Sequence, residues 1–184
     1  MEILKNQDFL LTKKKISEKV VAVLAETEAG LKTVISKTKF EFPEGTFLKS
    51  GKISKGEQYQ GLPYWILDFP RKFDEGKTFS FRFMVWWGNE LSFSFQLGKE
   101  YATKLNIQAF PSDYFFCVNN TPWEYHFEEN NYVPILSLTP QAVANQLSNH
   151  NFLKIAKKSP LDQLDEFSDQ AISFFETVIS VFQD

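Results

Sequence analysis

Glu124, His126 and Glu128 are the residues of this chain whose types and spacing best suit metal binding or acid–base chemistry. In an extended strand all three side chains would point to one face, at intervals of about 7 Å. Two carboxylates and an imidazole in that arrangement could hold a metal ion or transfer protons. A solvated edge strand, with its aromatic residues turned inward, explains the same pattern without a ligand, and we favour it. We therefore predict no metal site and keep these three residues as the candidates for one.

A second candidate is the polar side of residues 79–97, FSFRFMVWWGNELSFSFQL. Aromatic and aliphatic residues there alternate with polar ones, the pattern of two half-buried strands joined by a tight turn. Arg82, Trp86, Ser92 and Ser94 would project from the same face, as a predicted ligand-binding set. An arginine beside a tryptophan suits a carboxylate, a phosphate or a flat ring. The alternative is that this face simply meets water, as in many antiparallel sheets.

Residues 61–71, GLPYWILDFPR, add Tyr64, Asp68 and Arg71 to the predicted ligand-binding set. Asp68 and Arg71 bracket a Phe-Pro turn and could form an ion pair that locks the end of a strand. Tyr64 could line a pocket or pack in the core. We favour a structural use of the ion pair over catalysis, and we predict no catalytic residue.

The composition argues against several classes of function. The chain has one cysteine, Cys117, and two histidines, so neither a zinc site of the usual Cys/His type nor a Cys–His nucleophile is expected. It has no glycine-rich phosphate loop, and we predict no cofactor. A net charge of −3 and a pI of about 5.5 argue against a nucleic-acid partner. With no apolar run near transmembrane length and no leader pattern, we predict a cytoplasmic protein without membrane contact.

The alternation of apolar and polar residues in the 79–97 hairpin predicts whether its loop has an odd or an even number of residues, and so the register of its two strands. A two-residue loop would pair Val85 with Ser92 and mix apolar with polar residues on one face. A loop of odd length instead stacks phenylalanine on phenylalanine across the strands. Because a slip of one residue would turn these rings to solvent, we expect a loop of three or five residues with a bulge.

The remaining patterns predict an α+β protein, with an antiparallel sheet of five or six strands packed by a long N-terminal helix and C-terminal helices. A long amphipathic helix is predicted over 16–38, with Ser17 as its N-cap. Further strands are predicted at 46–53, 62–69, 114–118, 123–128 and 132–138. Thr139-Pro140 and Ser159-Pro160 both resemble helix starts.

We expect one domain spanning 1–184. It divides into a helical part (1–42), an antiparallel β core (46–138) and C-terminal helices (139–184). The two terminal helices are expected to lie side by side, and an apolar stripe that stays open would make a dimer interface.

Two motifs, GLPYWILDFPR and the FMVWWGN turn that follows it, carry a resemblance to a group of uncharacterised bacterial proteins of similar length. The resemblance covers roughly the central third of the chain. It implies a bacterial cytosolic origin and no particular activity, so it assigns a role to no residue.

Three functions stay open, and we rank first a non-enzymatic protein-binding or assembly module. Aromatic richness, long amphipathic helices and the scarcity of catalytic residue types favour it, and its partner would be another protein or a second copy. The second is a carrier or sensor of a small apolar or aromatic ligand held between sheet and helices. An enzyme using Asp68, Arg71, Arg82 or His126 ranks last.

Overall fold

The computed structural model describes residues 3–182 of the chain. Its helices and strands are, in chain order, α1 (Gln7–Lys37), β1 (Lys52–Tyr59), β2 (Leu62–Lys72), β3 (Phe79–Trp86), β4 (Glu90–Gly98), β5 (Phe115–Cys117), β6 (Tyr132–Pro134), α2 (Pro140–His150), β7 (Phe152–Pro160) and α3 (Phe167–Ser180). Short 3-10 turns join several of them.

One antiparallel sheet of seven strands, in the order β1-β2-β3-β4-β7-β5-β6, forms the centre of the fold. The predicted α+β class and antiparallel sheet are confirmed, but the prediction of five or six strands was too low. The prediction of helices throughout 139–184 was also wrong, because β7 lies there and pairs with β4 along its whole length. Lys154 interrupts the apolar run of β7 with a charge and so obscured the strand.

The two predicted C-terminal helix starts had different outcomes. Thr139 is the N-cap of α2, with Pro140 in the first turn, and its hydroxyl oxygen accepts a hydrogen bond from the backbone N–H of Ala142 at 3.2 Å. Ser159 and Pro160 instead end β7, where the missing N–H of proline is tolerated.

The first helix, α1, begins well before the predicted range 16–38. Asn6 is its N-cap, and the Asn6 side-chain oxygen accepts a hydrogen bond from the backbone N–H of Phe9 at 3.0 Å. The predicted N-cap, Ser17, lies inside the helix, where its hydroxyl donates to the carbonyl one turn earlier at 3.0 Å. The lysine run at 13–15 hid the start because it interrupts the apolar spacing of the helix.

Several short strand predictions needed correction. The strand expected at 46–53 begins only at Lys52, and it continues beyond that range to Tyr59. The segment 132–138 is a strand only up to Pro134 and then forms a 3-10 turn. The segment 123–128 is irregular rather than a strand.

The central hairpin has a loop of odd length, as predicted, but the two strands pair in continuous register from Phe79 opposite Leu97 to Val85 opposite Leu91, without the expected bulge. β3 ends at Trp86 and β4 begins at Glu90, which leaves the three residues 87–89 as the loop. Phe83 therefore faces Phe93 across the strands, and the adjacent pairs on this face are aromatic or aliphatic too. Gly88 has a φ of 74°, a left-handed conformation that glycine adopts without strain.

The apolar face of the sheet is covered by α1 and α3. The ring centroid of Phe81 lies 4.5 Å from that of Phe95 and 4.8 Å from that of Phe175 on α3. The two helices lie side by side, joined by a contact of 2.9 Å between the hydroxyls of Thr27 and Ser168. The buried positions of α1 are Val20, Leu24, Thr27 and Leu31.

The opposite face of the sheet is covered by residues 118–131, the connection between β5 and β6, which we call the strap. Its residues make hydrogen bonds to side chains of β3 and β7, as described below. Within residues 3–182, no helix combines the length and the apolar character that crossing a bilayer requires.

Candidate functional site

The predicted ligand-binding face of the hairpin is enclosed beneath the strap. Trp86, Ser92 and Ser94 are 4%, 6% and 5% exposed, respectively. They share one face of the sheet, as predicted, but that face does not meet solvent. A ligand would have to displace the strap to reach them.

Asp68 and Arg82 form a buried ion pair at the centre of this face. They are directly opposite each other on β2 and β3, so their side chains project together. Arg82 Nε donates to Asp68 Oδ1 at 2.6 Å, and a second guanidinium nitrogen donates to Oδ2 at 2.8 Å. This two-point geometry is the strongest form of an arginine–carboxylate pair.

The third guanidinium nitrogen of Arg82 binds the strap. Its Nη1 donates a hydrogen bond to the Tyr125 hydroxyl. The guanidinium carbon lies 5.3 Å from the ring centre of Trp123 and 5.4 Å from that of Tyr125, within range for cation–π attraction. Burial alone would lower the pKa of Arg82, but the Asp68 carboxylate raises it above its ordinary value. Burial raises the pKa of Tyr125 to about 12.

Lys154 on β7 is a second buried cation that binds the strap. Its side chain is fully enclosed, and Nζ donates to the carbonyl oxygens of Pro122 and Glu124, both at 2.8 Å. Nζ also lies 4.3 Å from the ring centre of Tyr125. Burial lowers the pKa of Lys154 to about 7. Sequence reasoning missed this residue because its segment was taken as helical, although its apolar neighbours on both sides were a usable signal.

Arg71 and Tyr64 serve other contacts. The Asp68 carboxylate is bound by Arg82 and not by Arg71, so the expected Asp68–Arg71 ion pair is wrong. Arg71 Nη1 donates to the Ser50 carbonyl at 2.7 Å, and the Arg71 guanidinium carbon lies 4.8 Å from the ring centre of Phe47. Tyr64 is directly opposite Trp86 on β3 and packs with Trp86 and Tyr59 in an apolar cluster on the covered face.

Glu124, His126 and Glu128 lie close together, although not on a strand. The His126 ring nitrogens are 3.8 Å from a Glu124 oxygen and 3.7 Å from a Glu128 oxygen. The Tyr59 hydroxyl anchors this part of the strap by donating to Glu124 at 2.9 Å and accepting the backbone N–H of His126 at 3.0 Å. In the part of the chain that the structure describes, no three His, Cys, Asp or Glu residues are grouped to hold a metal ion.

The polar cluster formed by Asp68, Arg82 and Lys154 therefore holds the strap against the sheet and offers no open cleft. The cavity beside Arg82 and Lys154 has a volume of about 10 Å³. That volume is close to what a single water molecule needs and is far too small for an organic ligand.

A continuous segment with exposed apolar side chains lies elsewhere, on the first turns of α1, residues 7–19, which we call the arm. No side chain of the arm is buried, whereas the helix enters the core from Val20 onward. Phe9, Leu10, Leu11 and Ile16 are 49%, 43%, 54% and 42% exposed. Such a concentration of large apolar side chains on one exposed segment is the usual mark of an interaction surface.

The arm continues the core-facing stripe of α1 past the edge of the core. Phe9 and Ile16 precede Val20 and Thr27 at spacings that place all four on one face of a helix. Val20 and Thr27 are fully buried, but on the same stripe Phe9 and Ile16 are about half exposed. Sequence reasoning missed the arm because it started the helix too late, although extending the stripe by two turns would have found it.

The charges around the arm are unevenly distributed. Residues 7–19 contain four lysines against one aspartate and one glutamate, whereas the whole chain has a net charge of −3. Lys19 forms an ion pair with Asp165 at 2.6 Å, so the arm ends beside an acidic turn. The exposed acidic residues of that turn are Asp162, Asp165, Glu166 and Asp169.

Comparisons of the chain with protein-family models, with curated proteins and with solved structures find no match in any of the three. The resemblance carried by the GLPYWILDFPR and FMVWWGN motifs therefore stays a sequence interpretation. The geometry of the arm and of the polar cluster is what bears on function.

Proposed function

We propose that this protein is a non-enzymatic assembly module of the bacterial cytoplasm that associates with a second copy of itself through the arm. The observation that carries the proposal is the half-exposed apolar stripe of Phe9 and Ile16, which continues the buried stripe of α1. A helix that is apolar on a face without cover gains stability when that face is buried.

The size of the apolar surface suits a reversible dimer. Fully burying a large apolar side chain contributes about 1.5–3 kcal/mol, and the two stripe side chains, Phe9 and Ile16, are already about half covered. Across both copies the gain is on the order of 3–6 kcal/mol, which reaches the lower end of the cost of association. We therefore expect an equilibrium between monomer and dimer that depends on protein concentration.

Charge favours a second copy as the occupant. In a two-fold arrangement with antiparallel arms crossing near Thr12, the N-terminal end of one arm meets the Lys19 end of the other. The acidic turn that contains Asp165 lies at that Lys19 end. It would therefore face Lys5 and the positive end of the partner helix, which attracts carboxylates. The same contact repeats across the axis, as an isologous interface requires.

The competing functions have less support. A carrier needs space between sheet and helices, but the phenylalanine side chains of that layer, among them Phe81, Phe95 and Phe175, are fully buried and in mutual contact. An enzyme needs reactive groups in a cleft, whereas Asp68 and Arg82 are enclosed and bonded to each other. Both observations support a role through surface contacts.

Sedimentation equilibrium across the micromolar concentration range tests the proposal. We expect the unmodified chain to shift from monomer to dimer as its concentration rises, and Ile16→Glu to stay monomeric because it buries a charge in the apolar stripe. Leu136→Glu is the matched control, since Leu136 is 76% exposed and lies outside the arm. It should dimerise like the unmodified chain.

Circular dichroism should show that each variant retains its fold. A chain that stays monomeric throughout the range would overturn the proposal, as would equal dimerisation of Ile16→Glu and Leu136→Glu. A dimer that is lost only in Leu136→Glu would place the interface outside the arm and also contradict it.

A further inference from the structure

A row of polar side chains crosses three strands beneath the strap. Ser80 on β3 is directly opposite Gln96 on β4, and Gln96 is directly opposite Lys154 on β7. Residues that pair in this way project from the same face of a sheet, with Cβ atoms about 4.5–5.5 Å apart. The three side chains are therefore neighbours on the covered face.

Two donors in this row have hydrogen-bonding capacity left over. The Ser80 hydroxyl oxygen is fully buried and has no hydrogen-bond partner within residues 3–182. Lys154 Nζ carries three N–H bonds when charged, and two of them go to the Pro122 and Glu124 carbonyls. A buried N–H or O–H without an acceptor is destabilising, so the Ser80 hydroxyl and the third N–H of charged Lys154 both favour an acceptor between them.

A small cavity lies at this place. It is lined by Ser80, Gln96 and Lys154 together with Arg82 and Tyr125, and its volume is about 10 Å³. A buried site needs roughly 10–15 Å³ of such volume and two to four polar partners to hold one water molecule. The cavity meets both conditions.

We propose that this cavity is the binding site of a single ordered water molecule. When Lys154 is charged, the water accepts hydrogen bonds from Ser80 Oγ and Lys154 Nζ through its two lone pairs, and it donates to the side-chain oxygen of Gln96. It thereby supplies an acceptor to both donors, and it links β3 and β4 to Lys154, the residue of β7 that holds the strap.

A small anion is the alternative occupant, because two cations border the cavity. Charge balance argues against it. Arg82 is already bonded to the Asp68 carboxylate at two points, and Lys154 is bonded to two carbonyl oxygens. The volume also matches water, which is smaller than a chloride ion.

Diffraction from crystals of the unmodified chain at high resolution, with and without a bromide soak, is the primary test. We expect one density peak within hydrogen-bonding distance of Ser80 Oγ and Lys154 Nζ, with no anomalous signal from bromide. An empty cavity would overturn the proposal, and so would an anomalous peak, which would identify an anion site instead. This experiment does not depend on whether any variant folds.

Magnetic relaxation dispersion, which counts water molecules of long residence, tests the same site in solution. Ser80→Val removes the hydroxyl and fills the cavity, so the count should fall by one. Ser92→Val is the matched control, because Ser92 is a buried serine on the same covered face that does not line the cavity. An unchanged count in Ser80→Val, or an equal loss in both variants, would contradict the proposal.

Discussion

Removing the charge of Asp68 should destabilise the fold far more than its size suggests. Asp68→Asn keeps the shape of the side chain but leaves the Arg82 guanidinium enclosed without its carboxylate. The two side chains are only 5% and 17% exposed, so solvent cannot replace the lost partner. Breaking a buried pair from one side typically costs about 3–5 kcal/mol. Because Arg82 retains its bond to Tyr125, we expect the lower end, about 3 kcal/mol.

Chemical and thermal unfolding both measure this cost. For a chain of this size, about 3 kcal/mol corresponds to a fall in Tm of roughly 6–12 °C. Asp68→Asn combined with Arg82→Leu should cost less than the sum of the two single changes, because the double variant buries no unpaired charge.

Glu100→Gln is the matched control for the single change. Glu100 forms a surface ion pair with Lys77 at 3.5 Å, in which both side chains are about half exposed. Such pairs contribute about 0–1 kcal/mol. If Asp68→Asn cost no more than Glu100→Gln, or if the double variant were strictly additive, the reasoning about the buried pair would be refuted.

Two further predictions concern the cation on β7 and the aromatic core. Because the pKa of Lys154 is about 7 in the folded protein and 10.5 is its ordinary value, the folded state binds fewer protons than the unfolded state between these values. The free energy of unfolding should therefore rise from pH 7 to about pH 9, by up to about 1.4 kcal/mol per pH unit, and this rise should be absent in Lys154→Met. Urea unfolding over this pH range checks it, and parallel curves for the two proteins would contradict it. In the core, Phe81→Ala should cost about 3–5 kcal/mol because the ring is fully buried, whereas Phe73→Ala, at a ring that is 45% exposed, should cost well under half of that. Equal costs in denaturant titrations would show that the aromatic layer is not the main core.

The sequence predicted the central hairpin well because the register of its strands depends only on whether the loop has an odd or an even number of residues. With Phe83 and Phe93 on one face and Arg82 and Ser94 on the other, only an odd loop keeps the rings buried, and the structure has such a loop. Similarly, the Thr139 cap and the following proline act within one turn, so the start of α2 was predictable.

The path of the strap was not predictable, and β7 was easily missed, because long-range contacts form both. Residues 123–128 alternate like a strand, but hydrogen bonds from distant residues, Tyr59 and Lys154, fix their backbone in an irregular path. Lys154 itself reads as a solvent-facing residue until the strap supplies its two carbonyl acceptors. The polar face consequently looked open in the sequence and is closed in the structure.

The arm shows how a late helix start changes a functional interpretation. Starting α1 at residue 16 left Phe9, Leu10 and Leu11 outside any element. Once the helix begins at Gln7, Phe9 and Ile16 fall on the core-facing stripe, and their exposure becomes informative.

A distance between two spin labels tests the central claim, the pairing of two arms, most directly. Thr12→Cys places a label near the expected two-fold axis. Cys117 should stay unlabelled because it is fully buried and burial raises the pKa of its thiol. Antiparallel helices pack about 8–10 Å apart, so double electron–electron resonance should report a label separation of about 15–30 Å that Ile16→Glu abolishes. A signal without intermolecular dipolar coupling, at concentrations where the chain is expected to dimerise, would contradict the account.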